Sequence, residues 1–198
     1  MQKTIAFFDF DGTITTKDTM LELIKFAKGK RAYYLGMIKL SPYLIALKAG
    51  LVTATFAKEK MLAYFFGKTP ENLFNQICSR FSETALPKLI RPKAIDKIKE
   101  HLDKKQEVVV VSASAENWIS RWCIQNKISY LATQFEISDG KITGNLSGIN
   151  CNGEEKVNRI RTKYNLSDYS TIYCYGDTKG DKPMLQLATF AYYKPFRN

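Results

Sequence analysis

Three short apolar runs, residues 5–10, 108–111 and 171–175, restrict the fold more than any other feature of this chain. Each is four to six residues long, almost wholly apolar, and ends at polar or glycine-bearing residues. Strands that bury one face alternate apolar with polar. Strands buried on both faces read as continuous apolar runs, as in a parallel sheet covered by helices. The four consecutive valines at 108–111 are the plainest case.

Between and after these runs the periodicity is helical. Thr19-Met20-Leu21-Glu22 has the spacing of a capping box opening a helix. From there to about Arg91 apolar residues recur at helical intervals: Met20, Leu23, Ile24 and Ala27, and later Leu73, Phe74, Ile77 and Phe81. The register changes at Leu86-Pro87 and Arg91-Pro92. Beyond it a helix is expected over 93–104, and another over 115–126. A short strand is expected over 128–132, then a hairpin over 134–148 turning at Asp139-Gly140. A helix over 154–164, the strand 171–175, a helix starting at Lys182 and an edge strand over 190–193 complete the chain. This alternation predicts an α/β fold: a Rossmann-like parallel sheet with helices on both faces, and a helical cap inserted after the first strand. The expected division is 1–15 with 92–198 as catalytic core and 16–91 as cap.

Two pairs of aspartates stand where these strands end. Asp9 and Asp11 lie in Phe8-Asp9-Phe10-Asp11-Gly12-Thr13, and Asp177 and Asp181 in Gly176-Asp177-Thr178-Lys179-Gly180-Asp181. Parallel strands deliver their ends to one edge of the sheet. Several carboxylates gathered there are costly without a cation among them, so the pattern predicts a divalent metal site with a nucleophile beside it. An isolated Asp-Gly would be read as a turn. Here it follows a buried strand and is joined by further polar motifs in order.

The order of these motifs resembles that of the haloacid-dehalogenase superfamily, over almost the whole length. The resemblance implies that Asp9 attacks phosphorus to form an aspartyl-phosphate and that Asp11 is the general acid and base. Dehalogenases and transport ATPases of the superfamily lack an aspartate at the second place, so Asp11 favours phosphoester hydrolysis. Ser112, with the backbone N–H of Ala113, would bind the phosphoryl oxygens, although Ser112 and Ser114 also suit a helix N-cap. Lys156, in Gly153-Glu154-Glu155-Lys156-Val157, would neutralise charge between nucleophile and phosphoryl group. The implied cofactor is Mg²⁺, held directly by Asp177, the Asp9 carboxylate and the backbone carbonyl of Asp11, with Asp181 a ligand through water or orienting the direct ligands.

Within the superfamily the resemblance is to the phosphoserine phosphatase-like subgroup with the cap after the first strand, near phosphatidylglycerophosphatase C-type proteins. Val111-Ser112-Ala113-Ser114, Asn150-Cys151-Asn152-Gly153-Glu154-Glu155-Lys156 and Tyr193-Lys194-Pro195-Phe196 carry it. Asp18 stands near the place of a glutamate that meets the substrate amine in phosphoserine phosphatases, and is the candidate cap residue for substrate. The shorter acid, and Ser112-Ala113-Ser114 in place of Ser-Gly-Gly, count against serine phosphate.

Charge concentrates in the cap. Residues 16–92 carry thirteen Lys or Arg against five Asp or Glu, a surplus of eight within a total of +11. Lys28-Gly29-Lys30-Arg31-Ala32-Tyr33-Tyr34 precedes an apolar run. This pattern suits either a buried cap helix with a solvated basic end or a surface resting on anionic lipid. The stretch 33–51 contains Lys39, Pro42 and Lys48 and makes a poor transmembrane span. The N-terminal apolar run is too short for an export signal. The four scattered cysteines suit free thiols in a reducing compartment. The expected protein is therefore cytoplasmic, with peripheral contact at the inner membrane surface left open.

The single histidine, His101, lies among charges and is expected at the surface. So are Arg159, Lys163, Lys179 and Lys182. Trp118 and Trp122, four apart, are expected in the core. The expected partner is a phosphorylated small molecule or a phospholipid headgroup. Phosphotransfer to another acceptor and a non-catalytic phosphate-binding role are the alternatives. Nucleic acid is not expected, because no recognisable module accompanies the charge.

Overall fold

The computed structural model describes residues 3–197. Met1, Gln2 and Asn198, at the two ends of the expected core, lie outside the described residues. Six strands form one sheet in the order β4-β3-β2-β1-β5-β6. These are β1 (Lys3–Phe8), β2 (Glu107–Ala115), β3 (Ser129–Ser138), β4 (Lys141–Ser147), β5 (Tyr169–Gly176) and β6 (Phe190–Tyr193). All neighbours are parallel except β3 and β4. The α/β class with a mostly parallel sheet is the one expected.

The central strands are buried on both faces, which is why their sequences do not alternate. Ala6 and Phe8 of β1, with Val108 and Val110 of β2, face one apolar cluster. Ile5, Phe7, Val109 and Val111 face the other. Helices α5 (Pro92–Asp103) and α6 (Glu116–Gln125) contribute to the first, and α7 (Glu154–Lys163) and α8 (Lys182–Leu185) to the second. Trp118 and Trp122 of α6 are buried in the first cluster, as expected.

The short strand and the first arm of the hairpin are one continuous strand, β3. It pairs with β2 as far as Thr133 and with β4 from Gln134. The turn falls at Asp139 and Gly140, both at positive φ. Positive φ at both central residues is the requirement of a type I′ hairpin turn.

Between β1 and β2 lie α1 (Thr19–Lys39), α2 (Ser41–Lys48), α3 (Ala54–Phe66) and α4 (Glu71–Thr84). Chain leaving and re-entering the sheet is zipped together by Thr16 N–H to Leu89 C=O at 2.8 Å and Arg91 N–H to Ile14 C=O at 2.8 Å. The α3–α4 connection leans on the hairpin: Lys68 N–H donates to Ile142 C=O, and Ile142 N–H to Thr69 C=O. Gly144 (φ +98°) marks the closest approach, since a Cβ there would lie 2.3 Å from the Ala63 backbone. None of the described helices is long and apolar enough to cross a membrane.

Three local expectations need correction. Asp18, not Thr19, caps α1, its carboxylate accepting from Leu21 N–H at 3.0 Å. Thr19 and Asp18 both have capping chemistry, and Asp18 taking the cap leaves the Thr19 hydroxyl for another use. His101 is buried at 4% exposure, between Gln106 and the Tyr175 hydroxyl, the latter at 2.9 Å. Burial lowers its pKa, against the Gln106 hydrogen bond and the Glu100 charge, which favours the neutral ring. Arg159 is half-buried and clamps Glu155 at 2.9 Å while donating to the Ala132 and Ile149 carbonyls. Lys163, Lys179 and Lys182 are exposed. All four cysteines are free and buried.

Candidate active site

The carboxyl ends of β2, β1 and β5, neighbours in that order, meet at one edge of the sheet, where Asp9 stands between Ser112 and Asp177. Asp9 N–H is tied to the Tyr175 carbonyl at 2.9 Å, so the nucleophile candidate is fixed by the β1–β5 pairing itself. Asp9, Asp177 and Asp181 are all buried, and one carboxylate oxygen from each lies within 4.8 Å of the others. Gly12 (φ +83°) lets the turn after Asp9 pass under this group, because a Cβ there would stand 2.4 Å from Asp177 Oδ2. Thr13 Oγ1 donates to Asp177 Oδ1 at 3.2 Å, and Arg197 pairs with its other oxygen.

Lys156 is the hub. Its buried ammonium donates to Asp9 Oδ1 at 2.6 Å, Asp181 Oδ1 at 2.7 Å and the Val111 carbonyl at 2.7 Å, which uses all three of its protons. Burial works against its charge. The two carboxylates outweigh that and hold its pKa above the ordinary lysine range. Asp181 is pushed up by burial, but Lys156 and the hydrogen bonds of Thr178 bring it below its usual value. Its second oxygen accepts from the backbone N–H groups of Asp177 and Thr178 and from the Thr178 hydroxyl.

Asp9 is the charge left short. Burial lifts its carboxyl to about 7 despite Lys156, and the neighbouring Asp181 and Asp11 add to the rise. Lys156 offsets Asp9 and Asp181, and Arg197 pairs with Asp177, so three buried carboxylates face two cations; their hard oxygen donors fit a hard divalent cation. A divalent cation among them would supply the missing positive charge.

Asp11 faces away from this cluster. One oxygen accepts from Thr19 N–H at 2.7 Å and the other from the Ser114 hydroxyl. Its side chain is thus committed elsewhere, which leaves only its backbone carbonyl for a cation. The Thr19 and Ser114 hydroxyls are 3.0 Å apart, and Trp118 Nε1–H donates to Thr19 Oγ1 at 3.0 Å. Burial lifts the Asp11 carboxyl to about 6, and the charge of Asp18 raises it further. Ser114 and Thr19 pull it down. A carboxyl poised near neutrality can both give and take a proton.

Ser112 is buried, and its hydroxyl oxygen accepts from Ser114 N–H at 2.9 Å, which leaves its own proton free to donate. Neither serine caps α6, whose N-cap is Ala115 without a side-chain bond. Instead β2 runs on to Ala115 with a register shift after Ser112, an irregularity of the kind that re-aims side chains.

A cavity of about 530 Å³ opens above these groups. Its floor includes Asp9, Asp11, Ser112, Ala113, Lys156 and Asp181. Its roof comes from α1 to α3: Met20, Met37, Leu44, Leu47, Ala57 and Met61. Two ionisable groups line the cavity from this side, Asp18 and Lys58. Lys58 donates to the Ala113 carbonyl at 2.5 Å and to Asn150 Oδ1 at 3.2 Å. Burial lowers its pKa, against the charges of Asp11 and Asp18.

The structure therefore brings together Asp9, Asp11, Ser112, Ala113, Lys156 and Asp181, with Asp177 alongside and Asp18 in the wall. Sequence reading missed Thr19, Ser114, Thr13, Lys58 and Asn150. For Ser114 a signal existed, two residues from Ser112 on an irregular strand end. For Lys58 there was none beyond its place in a basic segment.

Comparison with known proteins agrees with this geometry. Residues 6–186 match the haloacid dehalogenase-like hydrolase family. The chain is 32% identical over 192 residues to protein CicA of Caulobacter vibrioides, covering 96% of this chain and 85% of that one. It is 30% identical over 201 residues to a Mycobacterium tuberculosis protein named as a probable phosphatase, covering 96% and 68%. Among solved structures, a Bordetella pertussis protein of unknown function superposes with a TM-score of 0.81 at 23% identity, covering 96% and 88%. A substrate-bound phosphoserine phosphatase gives 0.62 at 19% identity, covering 95% and 84%. The family match spans nearly the whole chain and includes every aspartate at the sheet edge: the chain belongs to the haloacid dehalogenase-like hydrolases.

Proposed function

We propose that this phosphatase is a Mg²⁺-dependent phosphomonoester hydrolase acting through an aspartyl-phosphate on Asp9. The observation that carries the reading is the Lys156 bridge, which joins Asp9 to Asp181 while Asp11 is held apart on Thr19 and Ser114. Two carboxylates of one short motif thus have separate surroundings, as separate roles require.

In the first step Asp9 attacks phosphorus, the bond from phosphorus to the ester oxygen breaks, and Asp11 protonates the departing oxygen. In the second, Asp11 takes a proton from water as that water attacks phosphorus. Inorganic phosphate leaves and Asp9 is regenerated. Ser112 and the Ala113 N–H orient the phosphoryl oxygens, and Lys156 offsets the charge that builds between them and Asp9. Asp9, Asp177 and Asp181 would hold Mg²⁺ with the Asp11 carbonyl, and the ion supplies positive charge for the phosphoryl group. Helices α1–α4, the proposed cap over 16–91, shield the cavity from bulk water.

The substrate is a small phosphorylated metabolite or a lipid headgroup phosphate. The roof favours an alcohol whose body next to the phosphate is apolar, since Met and Leu side chains dominate it. Asp18 is already bonded to Leu21 N–H, and this use competes with a role toward a substrate amine.

Hydrolysis of 4-nitrophenyl phosphate by the purified protein tests the reaction. Chelation should stop turnover and Mg²⁺ should restore it. Full turnover in excess chelator would overturn the metal dependence. Added alcohol acceptors separate hydrolysis from phosphotransfer.

A further inference from the structure

Helix α2 is apolar on its inner and outer sides. It buries no residue fully, yet Leu44 and Leu47 line the catalytic cavity and Ile45 is 67% exposed. The second half of α1 shows the same split. Met37 lines the cavity, while Leu35 (63%) and Ile38 (69%) are exposed beside Tyr34. Arg31, Tyr34, Leu35 and Ile38 recur at the spacing of a single helix face. Leu51, just past α2, is 78% exposed. Single exposed apolar residues are ordinary, but a run of them on consecutive helices marks a surface that is covered in use.

Charge says what covers it. From Leu23 to Lys58 the chain has no Asp or Glu, but it has Lys25, Lys28, Lys30, Arg31, Lys39, Lys48 and Lys58. All except Lys25 and Lys58 are exposed. A second copy of this chain seated on the same patch would set these cations against each other. An anionic bilayer meets both demands, taking up the apolar side chains and pairing the cations with lipid phosphates.

We propose that α2, with the second half of α1 and Leu51, docks this protein on an anionic lipid bilayer. Docking sets the cavity wall formed by Met37, Leu44 and Leu47 against the lipid surface. Its catalytic consequence, uptake of a phosphomonoester from the bilayer, rests on the phosphatase reading above, whereas the docking does not.

Co-sedimentation tests it, with vesicles of phosphatidylglycerol and phosphatidylcholine and with vesicles of phosphatidylcholine alone. The wild type should sediment with the anionic vesicles and not the neutral ones, and release on raising salt from about 0.05 M to about 0.5 M. Lys30→Gln with Arg31→Gln should weaken partitioning about fivefold per cation. Ile45→Ser with Leu51→Ser should weaken it about tenfold or more. Neither pair should change hydrolysis of soluble 4-nitrophenyl phosphate, which also reports that the variants fold. The proposal fails if the wild type ignores anionic vesicles at low salt, or if the serine variant binds them as well as the wild type. It also fails if the wild type is a dimer in solution that the serine pair makes monomeric. Vesicle binding without any phosphatase turnover would uphold the docking and remove the catalytic reading instead.

Discussion

The edge of the sheet and the helices above it are built on opposite terms. At the edge, Asp9, Lys156, Asp177 and Asp181 are buried, and the charges are partnered by named groups: Lys156 by three acceptors, Asp181 by four donors, the half-buried Asp11 by Thr19 and Ser114. In the roof the cavity meets mostly Met, Leu and Ala, and the outer side of α1 and α2 exposes apolar side chains among lysines and an arginine. A hydrogen-bonded edge fixes where atoms sit to within about 0.5 Å, which chemistry needs. An apolar roof accepts a class of shapes. The chemistry of this protein is therefore specified far more tightly than its substrate.

Substitutions at the edge should cost most. Lys156→Met removes the only ammonium between Asp9 and Asp181 and leaves two buried carboxylates uncompensated. It should destabilise the metal-free protein by about 3–5 kcal/mol, read by chemical denaturation, and abolish turnover. A loss of turnover at unchanged stability would show that the bridge is not structural.

Next comes the alkaline limb that Asp11 would set. As the proposed acid, its carboxyl, lifted to about 6, would have to carry a proton for the leaving group, so in excess Mg²⁺, which would hold Asp9 ionised, kcat/KM should fall as pH rises through that value. Ser114→Ala removes a bond that pulls the pKa down and should move the limb up. Asp18→Asn removes a charge that pushes it up and should move the limb down. Movement of both in one direction would break the assignment. The same shift has a stability sign. The folded pKa is above the unfolded value of about 3.9, so this carboxyl favours folding at low pH and loses that contribution as pH rises through about 6.

Roof substitutions should act more weakly and on binding. Lys58→Met should raise KM by about tenfold or more, the scale of one hydrogen bond to a charged group, with kcat little changed. A matching fall in kcat would place Lys58 among the groups that act in the transition state. Ile45→Ser, on the outer side, should leave stability within about 0.5 kcal/mol, read from the denaturation midpoint.

The contrast also explains what could be read from sequence. The strands were legible because burial on both faces leaves an unbroken apolar run, and the aspartates because each pair sits within a few residues of a strand end. Thr19 and Ser114 were not, since their common partner Asp11 joins them across 95 residues and no local spacing records that meeting. His101 looked like a surface residue between Glu100 and Asp103. Yet Ala94, Ile98 and His101 share the buried face of α5, a periodicity that could have placed it inside. Arg159 follows Lys156 by three residues on α7, on the same side as that buried lysine, and the density of charge on this helix hid it. The basic segment and apolar run over 28–47, which include most of α2, suit either a buried helix with a solvated basic end or a lipid-facing surface. The α2 sequence has no polar side to decide between them, and only the fold shows that its outer face is uncovered.

The central claim is that Asp9 carries the phosphoryl group. Rapid acid quench during turnover of a phosphomonoester, followed by mass analysis of peptides, tests it most directly. A phosphoryl group on the peptide containing Asp9, absent in Asp9→Asn, is the predicted result. Steady turnover with no protein-bound phosphate, or the same label in Asp9→Asn, would contradict it.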